Sequence, residues 1–406
     1  MKELVLRIVA KIMPAVLKAY CCLYVPVKVW QVRHKKKIRV LFVIQSLSLW
    51  KTELLYVAML RHKRFEPCIG IVTSMEEDDA ENIKSYLDEK SYGYEMFSRD
   101  ENFWRKSHAD IILYQKPYEN MYSKWNGYKR NLYALFCYVN YAFHSVDEEW
   151  AFNAVLRNIA WQVYFENNSA MDVPCRMMTN KCRNGLVTGL PMMDELLIEK
   201  ERLHDPWKPQ TGRKKRIIWA PHHSINQENW LCYSTFLEYA DFMLDMAKKY
   251  KDKVQFVFKP HSLLREKLNN VWGEDKTTVY YRQWEMMENT QAEYGKYIAL
   301  FKYSDAMIHD CGSFTIEYHY TQNPVMYLVG DDPRKHEANL NDFAKQAFRL
   351  HYWAKNRREI EDFICNVIAE IDTKKEERVK FYNESLLPPG GKTACENIID
   401  AILGND

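Results

Sequence analysis

Short apolar runs alternate with longer amphipathic stretches along most of this chain. In the first half, the apolar runs predict β-strands at 40–44, 68–73, 94–97, 109–114, 136–141 and 162–165. In the second half, they predict strands at 217–220, 254–259, 306–309 and 325–329. Helical patterns lie between these strands, at 47–62, 78–90, 233–250, 297–304, 312–320, 358–370 and 392–403. Strands that alternate with helices indicate an α/β protein with parallel, doubly wound sheets.

The alternation is interrupted near the middle of the chain by a polar, basic stretch that contains Pro206, Pro209 and Gly212. This composition is typical of a linker. A chain of 406 residues is also long enough to form two domains with separate cores. We therefore predict four parts: an amino-terminal segment at 1–37, a first domain at 38–203, a linker at 204–216 and a second domain at 217–406.

The basic charge of the chain is concentrated at the amino terminus. Apolar residues make up 47% of the chain and charged residues 27%, which predicts a protein that is folded nearly throughout. The net charge is only +3, but residues 1–39 contain ten Lys or Arg and one acidic residue. This distribution indicates that the amino terminus meets an anionic surface, and it does not suit nucleic acid bound along the whole protein.

The amino-terminal segment is apolar but too often charged to be a simple transmembrane helix. Its longest uncharged run, 19–27, is far shorter than the about 20 residues that span a bilayer. At 100° per residue, Arg7, Lys11 and Lys18 share one helical face, and the basic sequence HKKKIR follows at 34–39. The pattern predicts an amphipathic helix on an anionic membrane surface, at the cytoplasmic face. The alternative is a helix that packs on the protein's own surface.

The ten cysteines are scattered and form no CxxC pair. This usage is typical of reduced, structural thiols in a cytosolic protein, and it does not favour a metal or disulfide framework.

Three segments of the second half carry polar groups directly after predicted strands. They are WAPHHS at 219–224, FKPHS at 258–262 and HDCGSFTIEY at 309–318. Ligands of open α/β sheets bind outside the carboxyl ends of the strands, so the three segments predict one shared site.

Gly312 and Ser313 lie where a predicted strand gives way to a helix. Backbone N–H groups and the helix dipole favour a phosphate at such a position, and the Ser hydroxyl adds a donor. Glu317 lies one turn further on the same face and is placed to accept hydrogen bonds from ribose hydroxyls. The alternative is that Ser313 caps the helix and that Glu317 is an ordinary helix residue.

Lys259 and His261 flank Pro260, which prevents a helix from continuing through this turn. A cation and an imidazole here suit a pyrophosphate whose charge grows as a leaving group departs, and Arg265 lies in the next turn. The alternative is a solvated strand-end lysine and a histidine that makes a turn contact.

The remaining candidate residues are histidines. His222 and His223 are adjacent, so we expect their side chains to point in different directions and at most one to meet the substrate. Zinc is disfavoured, because metal pairs on helices use i, i+4 spacing and acidic partners are missing. His144 follows the predicted strand 136–141 of the first domain and is a separate candidate, with a structural role as the alternative.

Taken together, the three segments resemble the carboxyl-terminal domain of CDP-glycerol glycerophosphotransferases, which polymerise teichoic acids and capsules. The family has an AP-containing strand end, a KPHP motif and a DYSS…D motif. Here Ser262 replaces the last proline after Lys259-Pro260-His261, Asp310 and Ser313 match the Asp and second Ser, and Glu317 falls at the later acid. The likeness covers about 185–329. The family's WHG…K segment, which supplies the supposed base, is absent, and NYAFHS at 140–145 is its nearest counterpart.

The resemblance implies two Rossmann-like domains of the glycosyltransferase-B type. It also implies metal-independent transfer without a separate cofactor and peripheral attachment to the membrane. The second domain would bind the CDP-activated donor mainly, and the family motifs fall on Lys259, His261, Asp310, Ser313 and Glu317. From the residues themselves, we add His222, Arg265 and Gly312 as donor-binding candidates. The first domain would face a lipid-linked or polymeric acceptor, and His144 is preferred to His223 as the base.

Three functions fit this sequence. The first is transfer of a glycerol-phosphate-like group from a CDP-activated donor to a membrane-associated acceptor hydroxyl, with release of CMP. The second is transfer of a sugar from a nucleotide-sugar by the same fold. The third is a catalytically silent, membrane-bound scaffold of polysaccharide assembly.

Overall fold

The chain forms two compact α/β units in a computed structural model. The structure describes residues 14–72, 77–98, 102–115, 131–147, 152–225, 234–295, 297–329, 337–338 and 340–405. Unit 1 consists of Met1–Ala142, Glu148–Asp194 and Pro388–Asp406. Unit 2 consists of Phe143–Asp147 and Glu195–Leu387.

Each unit is built on one parallel sheet, which confirms the predicted fold class. The sheet of unit 1 has seven strands: β1 (Ile38–Ile44), β2 (Phe65–Val72), β3 (Tyr94–Phe97), β4 (Ile111–Tyr114), β5 (Leu135–Val139), β6 (Gln162–Phe165) and β7 (Gly185–Val187). The sheet of unit 2 has six strands: β8 (Lys215–Ala220), β9 (Val254–Phe258), β10 (Thr290–Ala292), β11 (Ala306–His309), β12 (Val325–Leu328) and β13 (Tyr352–Ala354). Every pairing is parallel.

The strand order places a topological switch point in each sheet. Unit 1 has the order β3-β2-β1-β4-β5-β6-β7, and unit 2 has the order β10-β9-β8-β11-β12-β13. Chain order reverses between β1 and β4 and again between β8 and β11. Doubly wound sheets bind ligands in the crevice at this point, so the carboxyl ends of β8 and β11 are the expected site of unit 2.

Helices connect the strands in both units. They are α1 (Val25–His34), α2 (Glu53–Arg61), α3 (Glu77–Glu89), α4 (Phe103–Ser107), α5 (Val155–Ile159), α6 (Asn168–Met177), α7 (Asp194–Leu197), α8 (Phe236–Lys249), α9 (Leu264–Trp272), α10 (Glu274–Met286), α11 (Ile298–Tyr303), α12 (Phe314–Glu317), α13 (Asp342–Arg349), α14 (Arg357–Ile368), α15 (Lys375–Phe381) and α16 (Ala394–Leu403). Helix α8 shows why they form, since Phe236, Tyr239, Ala240 and Met243 recur at helical spacing and are all buried.

An aromatic cluster fixes the strands that lead to the predicted site. Trp219 of β8 is fully buried, and its ring stacks on Phe236 with centroids 5.6 Å apart. The rings of Phe258 and Trp284 lie 5.2 and 5.4 Å from it. Large buried aromatic side chains dominate the energetics of a core, so β8, β9, α8 and α10 are held together here.

The chain between Tyr20 and Lys35 packs on unit 1. Tyr20 is buried and its hydroxyl donates to the Ala134 carbonyl oxygen at 2.8 Å. The ammonium groups of Lys28 and Lys35 lie 3.4 and 2.7 Å from the buried carboxylate of Asp110. For this part of the segment, the alternative of a helix on the protein's own surface is what the structure shows.

Other basic residues of the predicted amphipathic segment are not shown to pack on the protein. Arg7 and Lys11, which carried the prediction of a basic face, lie outside the described residues. Lys18, Lys36 and Lys37 are exposed to solvent. Among the described residues, no helix is both long and apolar enough to cross a bilayer.

The end of the chain belongs to unit 1, whereas the sequence placed it in the second domain. Both carboxylate oxygens of Asp194 accept hydrogen bonds, from the amides of Ala394 and Cys395, at 2.8 Å each. At the other end of α16, the Arg33 guanidinium donates to the carbonyl oxygens of Ala401 and Ile402 at 3.1 and 3.3 Å. Contacts of a helix with residues distant in sequence leave no local pattern, so the predicted boundary was wrong here.

The predicted linker at 204–216 is packed into unit 2. Trp207 is buried, and its indole N–H donates to the Leu300 carbonyl oxygen at 3.2 Å. The amide of Lys208 donates to Gln291 at 2.6 Å, and Lys215 already begins β8. Pro and Gly indicate irregular backbone, and here that backbone lies against the sheet. The cysteines that the structure describes are free thiols.

Candidate active site

The three predicted segments meet at the carboxyl edge of the sheet of unit 2. Strand β8 ends before Pro221, and β9 ends before Lys259. The amide of Lys259 donates to the Trp219 carbonyl oxygen at 2.8 Å, and the amide of His261 donates to the Pro221 carbonyl oxygen at 3.0 Å. These bonds extend the β8–β9 pairing beyond the strands and tie the two loops together.

The loops bring together three imidazole rings, which we call the histidine cluster (His222, His223 and His261). The ring centroids of His222 and His223 lie 4.2 Å apart. The ring of His261 lies 5.1 Å from that of His222 and 4.2 Å from that of His223. The expectation that the two adjacent histidines point in different directions is wrong, because they lie past the strand end, in a bend where side chains need not alternate.

The surroundings of the histidine cluster favour the neutral form of its imidazoles. Burial, followed by the neighbouring His223 and His261, lowers the pKa of His222 to about 3. Burial, followed by His223 and Lys259, lowers the pKa of His261 to about 4. The pKa of His223 is also lowered, by burial and by the ammonium group of Lys267. Neutral imidazoles each have one N–H donor and one lone pair.

The hydrogen bonds of the cluster favour an anion over a metal ion. Three ring nitrogens, one from each histidine, lie within 4.8 Å of one another, which is close enough to consider a metal. However, Nδ1 of His261 accepts from the Leu263 amide at 3.2 Å, and Nδ1 of His222 accepts from the Ser224 amide at 3.3 Å. A ring whose Nδ1 accepts has its proton on Nε2, so Nε2 is a donor and not a metal ligand.

Asp310 holds the backbone of the site. It is fully buried, and one carboxylate oxygen accepts from the His222 amide at 2.5 Å. The other oxygen accepts from the amide and the hydroxyl of Thr235, at 2.7 and 3.0 Å. Burial raises the pKa of Asp310 to about 7, against the opposing effect of these hydrogen bonds. Asp310 was predicted to bind the donor, and its observed contacts position His222 and the start of α8.

Gly312 and Ser313 follow β11 as predicted, but the helix after them is short. It covers only Phe314–Glu317 and continues as a 3-10 turn, Tyr318–Thr321, where a single helix was expected. Ser313 is exposed, and within the described chain its hydroxyl makes no capping hydrogen bond. The alternative that the Ser313 side chain caps this helix is therefore wrong.

Glu317 is not an ordinary surface residue of a helix. Only 1% of its surface is exposed, and its carboxylate accepts a hydrogen bond from the Tyr297 hydroxyl at 2.7 Å. Burial, followed by the Glu317 charge, raises the pKa of Tyr297 well above its usual value. The ribose contact of Glu317 stays a prediction.

Two of the predicted cations have different surroundings. Lys259 is buried, and its ammonium group lies 6.0 Å from the centre of the Tyr297 ring. Arg265 is exposed on α9, with its guanidinium 5.2 Å from the centre of the Tyr281 ring. The cation of α9 that reaches the histidine cluster is Lys267, whose Nζ lies 2.8 Å from Nδ1 of His223. Sequence analysis missed it, because helix α9 was not predicted.

His144 lies in unit 2, whereas the sequence predicted that it belongs to the first domain. Its segment, Phe143–Asp147, groups with unit 2. The Asn341 side chain donates to the His144 carbonyl oxygen at 2.8 Å, and the Asn341 amide donates to the Ser145 carbonyl oxygen at 2.8 Å. Strand β5 ends at Val139, so these residues are no longer constrained by the sheet of unit 1.

Unit 1 has a polar network of its own, just past the ends of β5 and β6. The Asn140 side chain donates to the carboxylate of Glu166 at 2.9 Å, and Arg157 donates to Asn140 at 3.2 Å. The guanidinium of Arg157 also lies 4.6 Å from the centre of the Tyr138 ring. All these residues are buried. The sequence signal for this network is a polar residue directly after each of the two strands, Asn140 after β5 and Glu166 after β6. We applied this criterion only to the second half of the chain.

A family model described as CDP-Glycerol:Poly(glycerophosphate) glycerophosphotransferase matches residues 145–404. The chain belongs to this family. It is therefore a glycerophosphotransferase-type enzyme, and the resemblance stated from the sequence is confirmed. The match includes all three segments that meet at the edge of unit 2 and begins at Ser145, directly after His144. No curated protein sequence matches the enzyme significantly.

Solved structures share the fold of the enzyme at low sequence identity. A variant of the wall teichoic acid polymerase TagF is 14% identical, with a TM-score of 0.63 over 99% of this chain and 96% of that chain. A TagF structure soaked with CDPG is 13% identical, with a TM-score of 0.62 over 92% of this chain and 89% of that chain. A putative UDP-N-acetylglucosamine 2-epimerase from Listeria monocytogenes is 13% identical, with a TM-score of 0.56 over 91% of this chain and 97% of that chain. These likenesses establish the two-unit α/β fold.

Proposed function

We propose that the enzyme transfers a glycerol-phosphate-like group from a CDP-activated donor to a hydroxyl of a membrane-associated acceptor. The product would be a cell-surface polymer of the wall teichoic acid type, and CMP would be released. The observation that carries this proposal is the histidine cluster at the switch point of unit 2, where neutral imidazole donors lie beside the buried Lys259. Such a group of donors suits the pyrophosphate of a nucleotide-linked donor.

The proposed reaction requires charge stabilisation at the leaving phosphate. An acceptor hydroxyl oxygen attacks the phosphorus that bears glycerol, and the bond from this phosphorus to the oxygen of CMP breaks. The acceptor proton passes to a base, while negative charge grows on the departing CMP. Preorganised N–H donors are worth most where charge develops, so the histidine cluster would act in this step. The proposal includes no metal ion: the Lys259 ammonium would supply positive charge, and the neutral N–H groups would stabilise the leaving phosphate by hydrogen bonds.

Product analysis with alternative donors tests this function. The full chain would be incubated with CDP-glycerol, UDP-linked sugars and CMP-linked sugars in the presence of a polyol-phosphate primer. Among these donors, we expect only CDP-glycerol to give CMP release and primer extension. Turnover with a nucleotide-sugar instead would establish the glycosyltransferase alternative, and binding without turnover of any donor would establish the scaffold alternative.

We propose His144 as the base that deprotonates the acceptor. The other candidate, His223, belongs to the cluster assigned to the donor phosphate, and one imidazole cannot easily perform both tasks. General base catalysis contributes about 10²- to 10⁴-fold, so His144→Ala should reduce turnover by this factor and leave CDP-glycerol affinity unchanged. Stopped-flow turnover and donor titration measure the two effects. Near-normal turnover of His144→Ala would rule out this assignment.

We also propose that the amino-terminal helix lies on an anionic membrane surface. Val27 and Trp30 of α1 are exposed and three positions apart, which is the spacing of one helical face, and the apolar residues Val16 and Leu23 before α1 are exposed as well. The exposed basic residues Lys18, Lys36 and Lys37 would meet anionic headgroups. The helix itself stays packed on unit 1 through its other face.

Polar substitutions on this face should release the enzyme from membranes. The combined variant Leu23→Ser, Val27→Ser and Trp30→Ser should no longer sediment with phosphatidylglycerol vesicles, because the buried apolar area supplies the unscreened part of the affinity. Since these side chains are exposed, the melting temperature should hardly change. Leu60→Ser, at an apolar residue of α2 that is 48% exposed, is the matched control. Continued sedimentation of the combined variant would contradict the membrane proposal.

A further inference from the structure

Lys267 contacts His223 directly, and no motif of the site includes it. Its ammonium nitrogen lies 2.8 Å from Nδ1 of His223. Helix α9 holds Lys267 in place, because its apolar residues Leu264 and Leu268 are fully buried. Lys267 is half-buried, so it is placed in the site by the fold and is not a solvated surface lysine.

The contact determines which nitrogen of His223 carries the proton. An ammonium group has three donors and no acceptor, so Nδ1 of His223 must accept. A neutral imidazole whose Nδ1 accepts has its proton on Nε2. In this tautomer, Nε2 donates a hydrogen bond and has no lone pair with which to take a proton from a hydroxyl.

The surroundings of His223 keep its ring uncharged. The ring centroids of His222 and His261 each lie 4.2 Å from that of His223, and Nζ of Lys267 lies 2.8 Å from its Nδ1. Lys259 acts electrostatically on His261 within the same cluster. Protonation of His223 would therefore place a positive charge next to the Lys267 ammonium in a partly buried site, which is unfavourable.

We propose that Lys267 is a positioning residue that holds His223 in the Nε2–H tautomer, so that His223 donates a hydrogen bond to a phosphate oxygen of the donor. His223 then has a binding role, and it does not act as the base. This inference rests on the proposed function, because the phosphate is that of the CDP-linked donor. The tautomer itself is a property of the unliganded enzyme and is independent of that function.

Two substitutions separate the hydrogen bond of Lys267 from its charge. Lys267→Gln removes the charge but keeps an amide donor, whereas Lys267→Met removes both at similar length. Nitrogen NMR of isotope-labelled histidine side chains, assigned with His223→Gln, reports the tautomer and the titration of His223. Titration with CDP-glycerol reports donor affinity. Lys248→Met, at an exposed lysine of α8, is the matched control.

We expect the wild type and Lys267→Gln to show an unprotonated Nδ1 at His223 and affinities within about threefold of each other, because the hydrogen bond remains. In Lys267→Met, the titration of His223 should move up towards its ordinary pH, a mixture of tautomers should appear, and CDP-glycerol should bind about tenfold more weakly.

Three results would decide against parts of this scheme. A proton on Nδ1 of His223 in the wild type would overturn the inference. Equal losses of affinity in Lys267→Gln and Lys267→Met would overturn it too, since only the charge of Lys267 would then matter. Failure of the wild type to bind CDP-glycerol, with the tautomer as expected, would refute the proposed function and the phosphate contact of His223 but not the role of Lys267.

Discussion

His261→Ala should lower the turnover of CDP-glycerol about 10²- to 10³-fold, the loss seen when one preorganised donor to a developing charge is removed. The imidazole of His261 contacts both other rings of the histidine cluster, and its Nδ1 accepts from the Leu263 amide. Its Nε2–H is thus available to donate to the leaving phosphate. The change should be measured as CMP release at saturating CDP-glycerol, together with the dissociation constant of the donor.

A glutamine at the same position distinguishes a donor from a base. The side-chain amide of His261→Gln can place an N–H near the position of Nε2 but cannot take up a proton. It should therefore restore a large part of the turnover that His261→Ala loses. His204→Ala, at an exposed histidine of unit 2, should behave as the wild type. Equal inactivity of the Gln and Ala variants would show that His261 transfers a proton, and full activity of His261→Ala would remove it from the site.

Asp310→Ala should destabilise unit 2 and abolish donor binding together. The substitution leaves the amides of His222 and Thr235 without their carboxylate acceptor. A buried polar group that loses its partner costs about 1–3 kcal/mol, so the expected loss of stability is about 2–6 kcal/mol. The loop that carries His222 and His223 would also lose its attachment to β11. Thermal unfolding and CDP-glycerol titration measure the two effects.

The same strand offers a matched control at its other end. Asp305 precedes β11, and its carboxylate accepts from the Arg216 amide at 2.8 Å. Asp305→Ala should lower the melting temperature of the enzyme but leave donor affinity as in the wild type, because it lies at the amino end of β11, away from the site. Normal donor affinity in Asp310→Ala would mean that the loop keeps its position without this carboxylate.

The central strands could be predicted because they are buried on both faces. Ile217, Ile218 and Trp219 of β8 form an uninterrupted apolar run, and runs of the same kind lie at 256–258 of β9 and 306–308 of β11. The edge strands β7, β10 and β13 were missed because each has only three residues, which is too short to show a periodic pattern. Helix α9 was missed as well, since only Leu264 and Leu268 mark its buried face.

Site residues that directly follow strands could be predicted from the sequence. Site residues that depend on the packing of helices could not. The positions of His222, His261 and Asp310 follow from the sheet alone, because the carboxyl ends of parallel strands share one edge. Lys267 and Thr235 come from helices whose orientation depends on tertiary packing. A lysine on a helix is most often solvated, so no local signal identified Lys267. The placement of His144 in the first domain was wrong for a similar reason, since its segment is held by a contact with Asn341, far along the chain.

Asp194 and Arg33 hold α16 in unit 1 by hydrogen bonds at its two ends. Because α16 lies near the end of the sequence, this placement affects the order in which the two units can be completed during synthesis on the ribosome. All residues of unit 2 emerge before Pro388, so its sheet can close while synthesis continues. Until Ala394–Leu403 has been synthesised, unit 1 lacks α16, and the buried side chains Ile398 and Ile402 are missing from its core. Unit 1 begins first and is completed last, so fragments that end before Pro388 should retain the fold of unit 2 better than that of unit 1.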